Sequence, residues 1–185
     1  LFRSDIAAGK TNNGTNIQVY LGNNTKAQKF VFKQIELTSS ELSDGYYIIK
    51  SKLNTNKAID VFAAATHNCA NVQLYTSNNT DAQKFKISSL GNGFYKIINV
   101  KSSKALDVAY ANSSNGTNVW QYSWNSSIAQ QWLIKKNSSG DYSFISRCNA
   151  KYLDVNCGLT WNGTNIQIYQ GNNTNAQKFI LYKYK

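Results

Sequence analysis

Residues Thr164–Phe179 read TNIQIYQGNNTNAQKF, and residues Thr15–Phe30 read TNIQVYLGNNTKAQKF. The two segments differ at three of sixteen positions: Val19 against Ile168, Leu21 against Gln170, and Lys26 against Asn175. So close a match between polar, amide-rich stretches directs attention first to a period. Anchoring on carboxylates gives four copies, at Asp5, Asp60, Asp107 and Asp154. Eleven residues after each stands an asparagine: Asn16, Asn71, Asn118 and Asn165. Four further on stands a tyrosine: Tyr20, Tyr75, Tyr122 and Tyr169. Eight beyond that comes a glutamine within AQKF or AQQW: Gln28, Gln83, Gln130 and Gln177. The register holds through this block in all four copies without an insertion.

Each full repeat predicts four short strands. The first is YYIIKS, FYKIIN or YSFISR; the second AIDVF, ALDVA or YLDVN. The third is NVQLY, NVWQY or NIQIY; the fourth KFKI, QWLI or KFIL. β-Branched and aromatic residues fill them, turn residues separate them, and no window carries a helical period. The chain therefore reads as all-β. A propeller blade and a β-trefoil lobe both use four strands per unit of this length. Spacing decides between them: Phe85 to Trp132 and Trp132 to Phe179 are each 47 residues, whereas Phe30 to Phe85 is 55. The extra residues fall in Gln34–Asp44, and only LFRS precedes Asp5, so the first copy lacks its first strand. Three even repeats predict a β-trefoil over residues 45–185, with a linker at 35–44 and a partial repeat at 1–34. That partial repeat reads as the possible end of a preceding trefoil.

Composition bounds the function. The net charge is +11, from 20 Lys and Arg against 9 Asp and Glu, with the lysines dispersed. Solvated surface charge is the expected reading, with no nucleic-acid partner and no membrane insertion. The chain opens on Leu1, which reads as a processed or excised chain with no signal peptide in view. Three cysteines leave at least one unpaired, and Cys148 and Cys157, flanking NAKYLDVN, are expected not to form a disulfide. His67 and Cys69 supply too few ligands for a zinc site, so no metal or cofactor is expected. With one histidine and no carboxylates brought together by the repeat, no catalytic constellation emerges and the protein is expected not to be an enzyme. NGT at Asn13, Asn115 and Asn162 and NNT at Asn23, Asn78 and Asn172 read as loop residues that recur because the repeat recurs.

The LDV … NVQLY … AQKF pattern resembles the ricin-type β-trefoil lectin domains with their Gln-x-Trp signature, and the match looks closest to bacterial members. The resemblance implies that Phe30, Phe85, Trp132 and Phe179 take the place of the core tryptophan. It implies a sugar pocket in at least one repeat. Asp60, Asp107 and Asp154 would accept hydrogen bonds from sugar hydroxyls, and Tyr75, Tyr122 and Tyr169 would stack on the sugar's apolar face. Gln73 and Gln167 would supply an amide, and Gln83, Gln130 and Gln177 either contact sugar or fix the backbone. The expected order of sites is Asp60 and Asp154, then Asp107, then Asp5. Ala27, Ala82, Ala129 and Ala176 stand where many family sites carry an asparagine, so a galactose-type ligand does not follow from the motif. Trp120 replaces the third-strand glutamine of the other copies. The implied function is a non-catalytic glycan-binding module of a larger secreted or cell-surface bacterial protein, such as a glycosidase, cell-wall hydrolase or toxin. A protein-binding or adhesion trefoil, or a binder of anionic surface polymers, is the alternative.

Overall fold

The computed structural model describes residues 2–10, 16–30, 42–91 and 93–184. The chain divides into two compact units, Leu1–Leu37 and Thr38–Lys185. Most of the linker expected at 35–44, and the sequon at Asn13, lie outside the described residues.

Among the described residues of the first unit, β1 (Phe2–Ile6) pairs with β2 (Ile17–Leu21) as a hairpin, with Asp5 opposite Gln18. The second unit holds twelve strands in three lobes. Lobe 1 is β3 (Gly45–Ser51), β4 (Lys57–Val61), β5 (Ala70–Thr76) and β6 (Lys84–Ser89). Lobe 2 is β7 (Phe94–Asn99), β8 (Ala105–Val108), β9 (Thr117–Tyr122) and β10 (Trp132–Lys136). Lobe 3 is β11 (Tyr142–Ser146), β12 (Tyr152–Val155), β13 (Thr164–Tyr169) and β14 (Phe179–Lys183). Among the described residues the only helical elements are three-residue 3-10 turns.

The first and fourth strands of the lobes close a six-stranded antiparallel barrel. Its ring of pairings runs β3–β6, β6–β7, β7–β10, β10–β11, β11–β14 and β14–β3. The second and third strands form hairpins, in which Asp60 faces Gln73, Asp107 faces Trp120 and Asp154 faces Gln167. Third strands of neighbouring lobes also pair, β5 with β9, β9 with β13 and β13 with β5. Closure in both layers leaves each lobe equivalent under a threefold rotation, and this is a β-trefoil. Closing the ring also removes the unpaired edges that an open sheet would expose.

Phe85, Trp132 and Phe179 open the fourth strands and are fully buried. Trp132 satisfies its indole N–H on the Leu106 carbonyl at 3.1 Å, and Phe179 meets Phe144 edge to face at 5.6 Å. Truncating one of these rings to alanine costs about 3–5 kcal/mol, the range for large aromatic side chains in a close-packed core.

The amide-rich loops that open the sequence argument now have a physical cause. In the segment before each motif glutamine, the first asparagine caps the loop with its side chain. Asn78 Oδ1 accepts from the Thr80 hydroxyl at 2.9 Å, and Asn172 Oδ1 from the Thr174 hydroxyl at 2.8 Å. The second asparagine, Asn79 or Asn173, takes positive φ, a conformation that asparagine tolerates better than most residues. Other asparagines join lobes: Asn162 Oδ1 accepts the Thr76 backbone N–H at 2.8 Å, Asn115 Oδ1 that of Gln170 at 3.0 Å, and Asn68 Oδ1 that of Ser123 at 2.9 Å.

Candidate functional site

Each hairpin ends its second strand at an Asp-Val pair, and the chain then enters a 3-10 turn: Phe62–Ala64, Ala109–Ala111 or Asn156–Gly158. Inside these turns Ala63, Tyr110 and Cys157 hold φ of 52°, 55° and 54°. Ala8 in the first unit does the same at 52°. A left-handed backbone at a residue with a Cβ costs roughly 1–2 kcal/mol. The strain recurs at the same offset from the aspartate in all four copies, so the turn is a fixed part of the repeat. Phe-Ala-Ala and Ala-Tyr-Ala carry no glycine to signal it, whereas Asn-Cys-Gly and Ala-Ala-Gly place one just after the left-handed residue.

The turn, the third strand and the loop before the motif glutamine enclose one pocket per lobe. At Asp60 the cavity is about 480 Å³ and is lined by Phe62, Gln73, Tyr75 and Ala82, with Asn162 and Gly163 of lobe 3. At Asp154 it is about 400 Å³, lined by Cys157, Gln167, Tyr169 and Ala176. At Asp107 it is about 400 Å³, lined by Tyr110, Trp120, Tyr122 and Ala129, with Cys69 of lobe 1. These volumes suit a small ligand.

The carboxylates form the pocket floors and are themselves buried: Asp60 is 6% exposed, Asp107 7% and Asp154 5%. At Asp60, Gln73 Nε2 donates to Oδ1 at 2.9 Å and Gln83 Nε2 to Oδ2 at 3.1 Å. At Asp154, Gln167 Nε2 donates to Oδ1 at 3.0 Å and Gln177 Nε2 to Oδ2 at 3.1 Å. At Asp107 the indole Nε1 of Trp120 donates to Oδ1 at 2.7 Å. Burial pushes the Asp107 carboxyl above the ordinary aspartate value, opposed by Trp120 and Gln130. Burial does the same at Asp154, opposed by Gln167 and Gln177.

The structure separates two groups among the residues expected to meet ligand. Asp60, Gln73, Tyr75, Asp107, Tyr122, Asp154, Gln167 and Tyr169 line the three cavities. Gln83, Gln130 and Gln177 stand behind the carboxylates, with essentially no exposed surface. Their amides are spent on the protein. Gln83 Nε2 also donates to the Thr76 carbonyl at 2.9 Å, and its Oε1 accepts the Asn78 N–H at 2.9 Å. Gln130 and Gln177 brace Ser123 with Asn125, and Gln170 with Asn172, in the same way. These glutamines orient the carboxylate and the loop. Phe62 and Tyr110, exposed on the left-handed turns, join the pockets without having been anticipated.

In the first unit Asp5 is buried, with Oδ1 unpartnered, and Gln28 Nε2 braces the Leu21 carbonyl at 2.7 Å. Cys69, Cys148 and Cys157 are free thiols. Among the described residues no cluster of His, Cys, Asp and Glu is arranged to hold a metal ion, and no helix is long and apolar enough to cross a membrane.

Residues 26–122 and 81–169 match the model of the ricin-type beta-trefoil lectin domain-like family. The designed threefold-symmetric protein ThreeFoil is 36% identical, with a TM-score of 0.74 over 76% of this chain and 99% of that one. An exo-beta-1,3-galactanase from Clostridium thermocellum is 29% identical, with a TM-score of 0.72 over 75% of this chain and 30% of that one. Flavastacin from Elizabethkingia meningoseptica is 36% identical over 88 residues, which are 48% of this chain and 18% of the relative's length.

Proposed function

Because the chain belongs to the ricin-type β-trefoil lectin-like family, we propose that it is a carbohydrate-binding module that acts by recognition and not by catalysis. One observation carries the reading. The same constellation, a buried carboxylate beneath a tyrosine ring and a polar or indole N–H, is built three times at equivalent places on one scaffold. A carboxylate accepts strong charge-assisted hydrogen bonds from hydroxyls, and a tyrosine ring covers the C–H face of a pyranose. Shallow sites of this kind bind weakly one at a time and gain from acting together.

The module belongs to a larger secreted or cell-surface bacterial protein. Support comes from its covering only 30% of the galactanase and 18% of Flavastacin. The first unit is the closing part of another trefoil placed before this one. In support, Ile17 is 54% and Val19 73% exposed, whereas their equivalents Val72 and Leu74 are fully buried. Phe30 is 41% exposed against 1% for Phe85. Two complete lobes upstream would cover those side chains as lobes 2 and 3 cover Val72 and Leu74.

A glycan array followed by calorimetry in low and high salt tests the reading. Saturable binding to neutral glycans, insensitive to salt, is expected. A second reading rests on the charge of +11 and on lysines laid over tyrosines on the barrel wall, Lys50 over Tyr182 and Lys84 over Tyr184. Binding only to anionic polymers, lost on raising salt, would favour it.

A further inference from the structure

Three departures from the repeat converge on the Asp107 pocket and change its chemistry. The first is at the third strand. Gln73 and Gln167 each give one amide hydrogen to their aspartate and keep another hydrogen and the carbonyl oxygen for a ligand. Trp120 has a single N–H and spends it on Asp107 Oδ1. It leaves an aromatic face with nothing to offer a hydroxyl. The second is at the left-handed turn, where Ala63 and Cys157 stand in the other lobes and Tyr110 stands here, 87% exposed. Its ring meets the Trp120 ring edge-on at 4.9 Å, and Trp120 lies 6.5 Å from Tyr122. The third is on the wall supplied by the neighbouring lobe. A Cβ added at Gly163 or Gly116 would come within 3.9 Å of Gln73 Oε1 or 3.7 Å of Gln167 Oε1, and at the equivalent place Cys69, itself at a φ of 63°, lines the Asp107 cavity.

The result is a cavity with a hydrogen-bond acceptor at its floor, three rings, a thiol and two alanines on its sides, and Asn125 and Ser127 at the loop that precedes the motif glutamine. A hydroxyl pressed against the face of Trp120 would surrender its bonds to water and gain none from the indole, whose one N–H is already given to Asp107. A methyl group there would bury apolar area and meet a polarizable ring.

We infer that the three pockets differ in ligand, and that the Asp107 pocket selects a pyranose carrying a methyl group where the other two accept a hydroxyl, with the methyl on Trp120 and a ring hydroxyl donating to Asp107. The inference rests on the carbohydrate-binding reading and gives it a second ligand class. The methyl can come from an acetamido group or from a 6-deoxy carbon, and the shared chemistry is an apolar substituent beside hydroxyl donors.

The test is a titration of the whole chain, followed by the indole N–H resonance of Trp120, which its absence in Trp120→Gln identifies. The probes are galactose and glucose, their N-acetylated amino counterparts, and the 6-deoxy sugars fucose and rhamnose. The methyl-bearing sugars are expected to shift the Trp120 signal at concentrations about tenfold lower than the parent hexoses, the scale of one unpaired hydroxyl. The acetamido and deoxy arms show which methyl fits. Trp120→Gln should abolish that preference at this site while leaving the responses of the Tyr75 and Tyr169 rings unchanged. Equal or better response of Trp120 to the parent hexoses overturns the inference. So does silence at Trp120 while Tyr75 and Tyr169 respond, and in that case the lectin reading survives. Silence at all three sites with every sugar sinks both.

Discussion

Asn162 in lobe 3 receives the backbone N–H of Thr76 in lobe 1 on its side-chain oxygen at 2.8 Å, and the Lys57 ammonium donates to the same atom. One amide thus holds the end of the first lobe's third strand and, with Gly163, forms the outer wall of the Asp60 pocket. Asn162→Ala should cost about 0.5–1.5 kcal/mol of stability, the net worth of a hydrogen bond at an exposed lobe junction where water can take the lost partner's place. Urea denaturation measures it. The same change should weaken sugar binding at Asp60 and spare Asp154, whose pocket has its junction at Asn115.

Asp154 is buried beneath two amide donors, so removing its side chain would leave both donors stranded. Asp154→Asn is therefore the cleaner probe. Its sugar affinity at that site should fall by about tenfold or more as the charge-assisted acceptor is lost. Folding stability at pH 7 should change by less than about 1 kcal/mol, because one lost bond is offset by relief of a buried charge. Calorimetry on the two proteins separates the effects.

The pH dependence follows from the same burial. The Asp154 carboxyl takes up its proton above the ordinary value of 3.8 in the folded chain. Its contribution therefore favours folding below that value and is lost as pH rises through the folded pKa. Sugar binding needs the opposite, ionised form, so affinity at Asp154 should weaken on acidification before free aspartate would titrate. Titrations between pH 7 and 4 should show this in the native chain and a flat profile in Asp154→Asn.

Asp141 runs the other way. Burial would raise its pKa, but donors from Ser139, Asn137 and Lys52 outweigh it and hold the carboxyl below 3.8. Its stabilising effect is present above that value and is lost as pH falls through the folded pKa. Asp141→Ala should cost about 1–3 kcal/mol at neutral pH, where the charge is paired and hydrogen-bonded. The gap between the two proteins should narrow in strong acid.

Tyr75, 37% exposed, and Tyr169, partly buried, line their pockets from the third strands. Replacing either with alanine should weaken sugar binding at its own site by about 1–2 kcal/mol, as ring surface that the sugar would have covered is removed. Binding should be insensitive to salt in both variants. Loss on raising salt with no effect of either change would move the function to the lysine-bearing barrel wall.

Strand placement was legible because each strand of the trefoil is rich in β-branched and aromatic residues, each gap carries turn residues, and the register repeats. In β3 the run Tyr47, Ile48 and Ile49 is buried, while Tyr46 and Lys50 on either side of it are partly exposed. The recurring carboxylate was legible in the repeat, but its place at a pocket floor came only from the resemblance to the ricin-type lectin domains. The role of Gln83 was not legible, since a buried amide has the same letter whether it meets sugar or backbone. Only the position of Asn78, Thr76 and Asp60 around it decides. The left-handed turns were invisible for a related reason. Ala63 and Tyr110 are poor markers of positive φ, and the closed barrel imposes a conformation that local preference would reject.

A single lobe owns the floor of a pocket but not all of its outer wall, as Asn162 and Gly163 at Asp60 and Cys69 at Asp107 show. A gene encoding one such unit would give selection nothing to act on until three products had met. Recognition would then depend on how often they met, and so on expression level. Joining three copies end to end replaces that dependence with an effective concentration fixed by the connecting turns. It also leaves each copy free to differ, as Trp120 differs from Gln73 and Gln167, while its neighbours go on supplying the shared architecture.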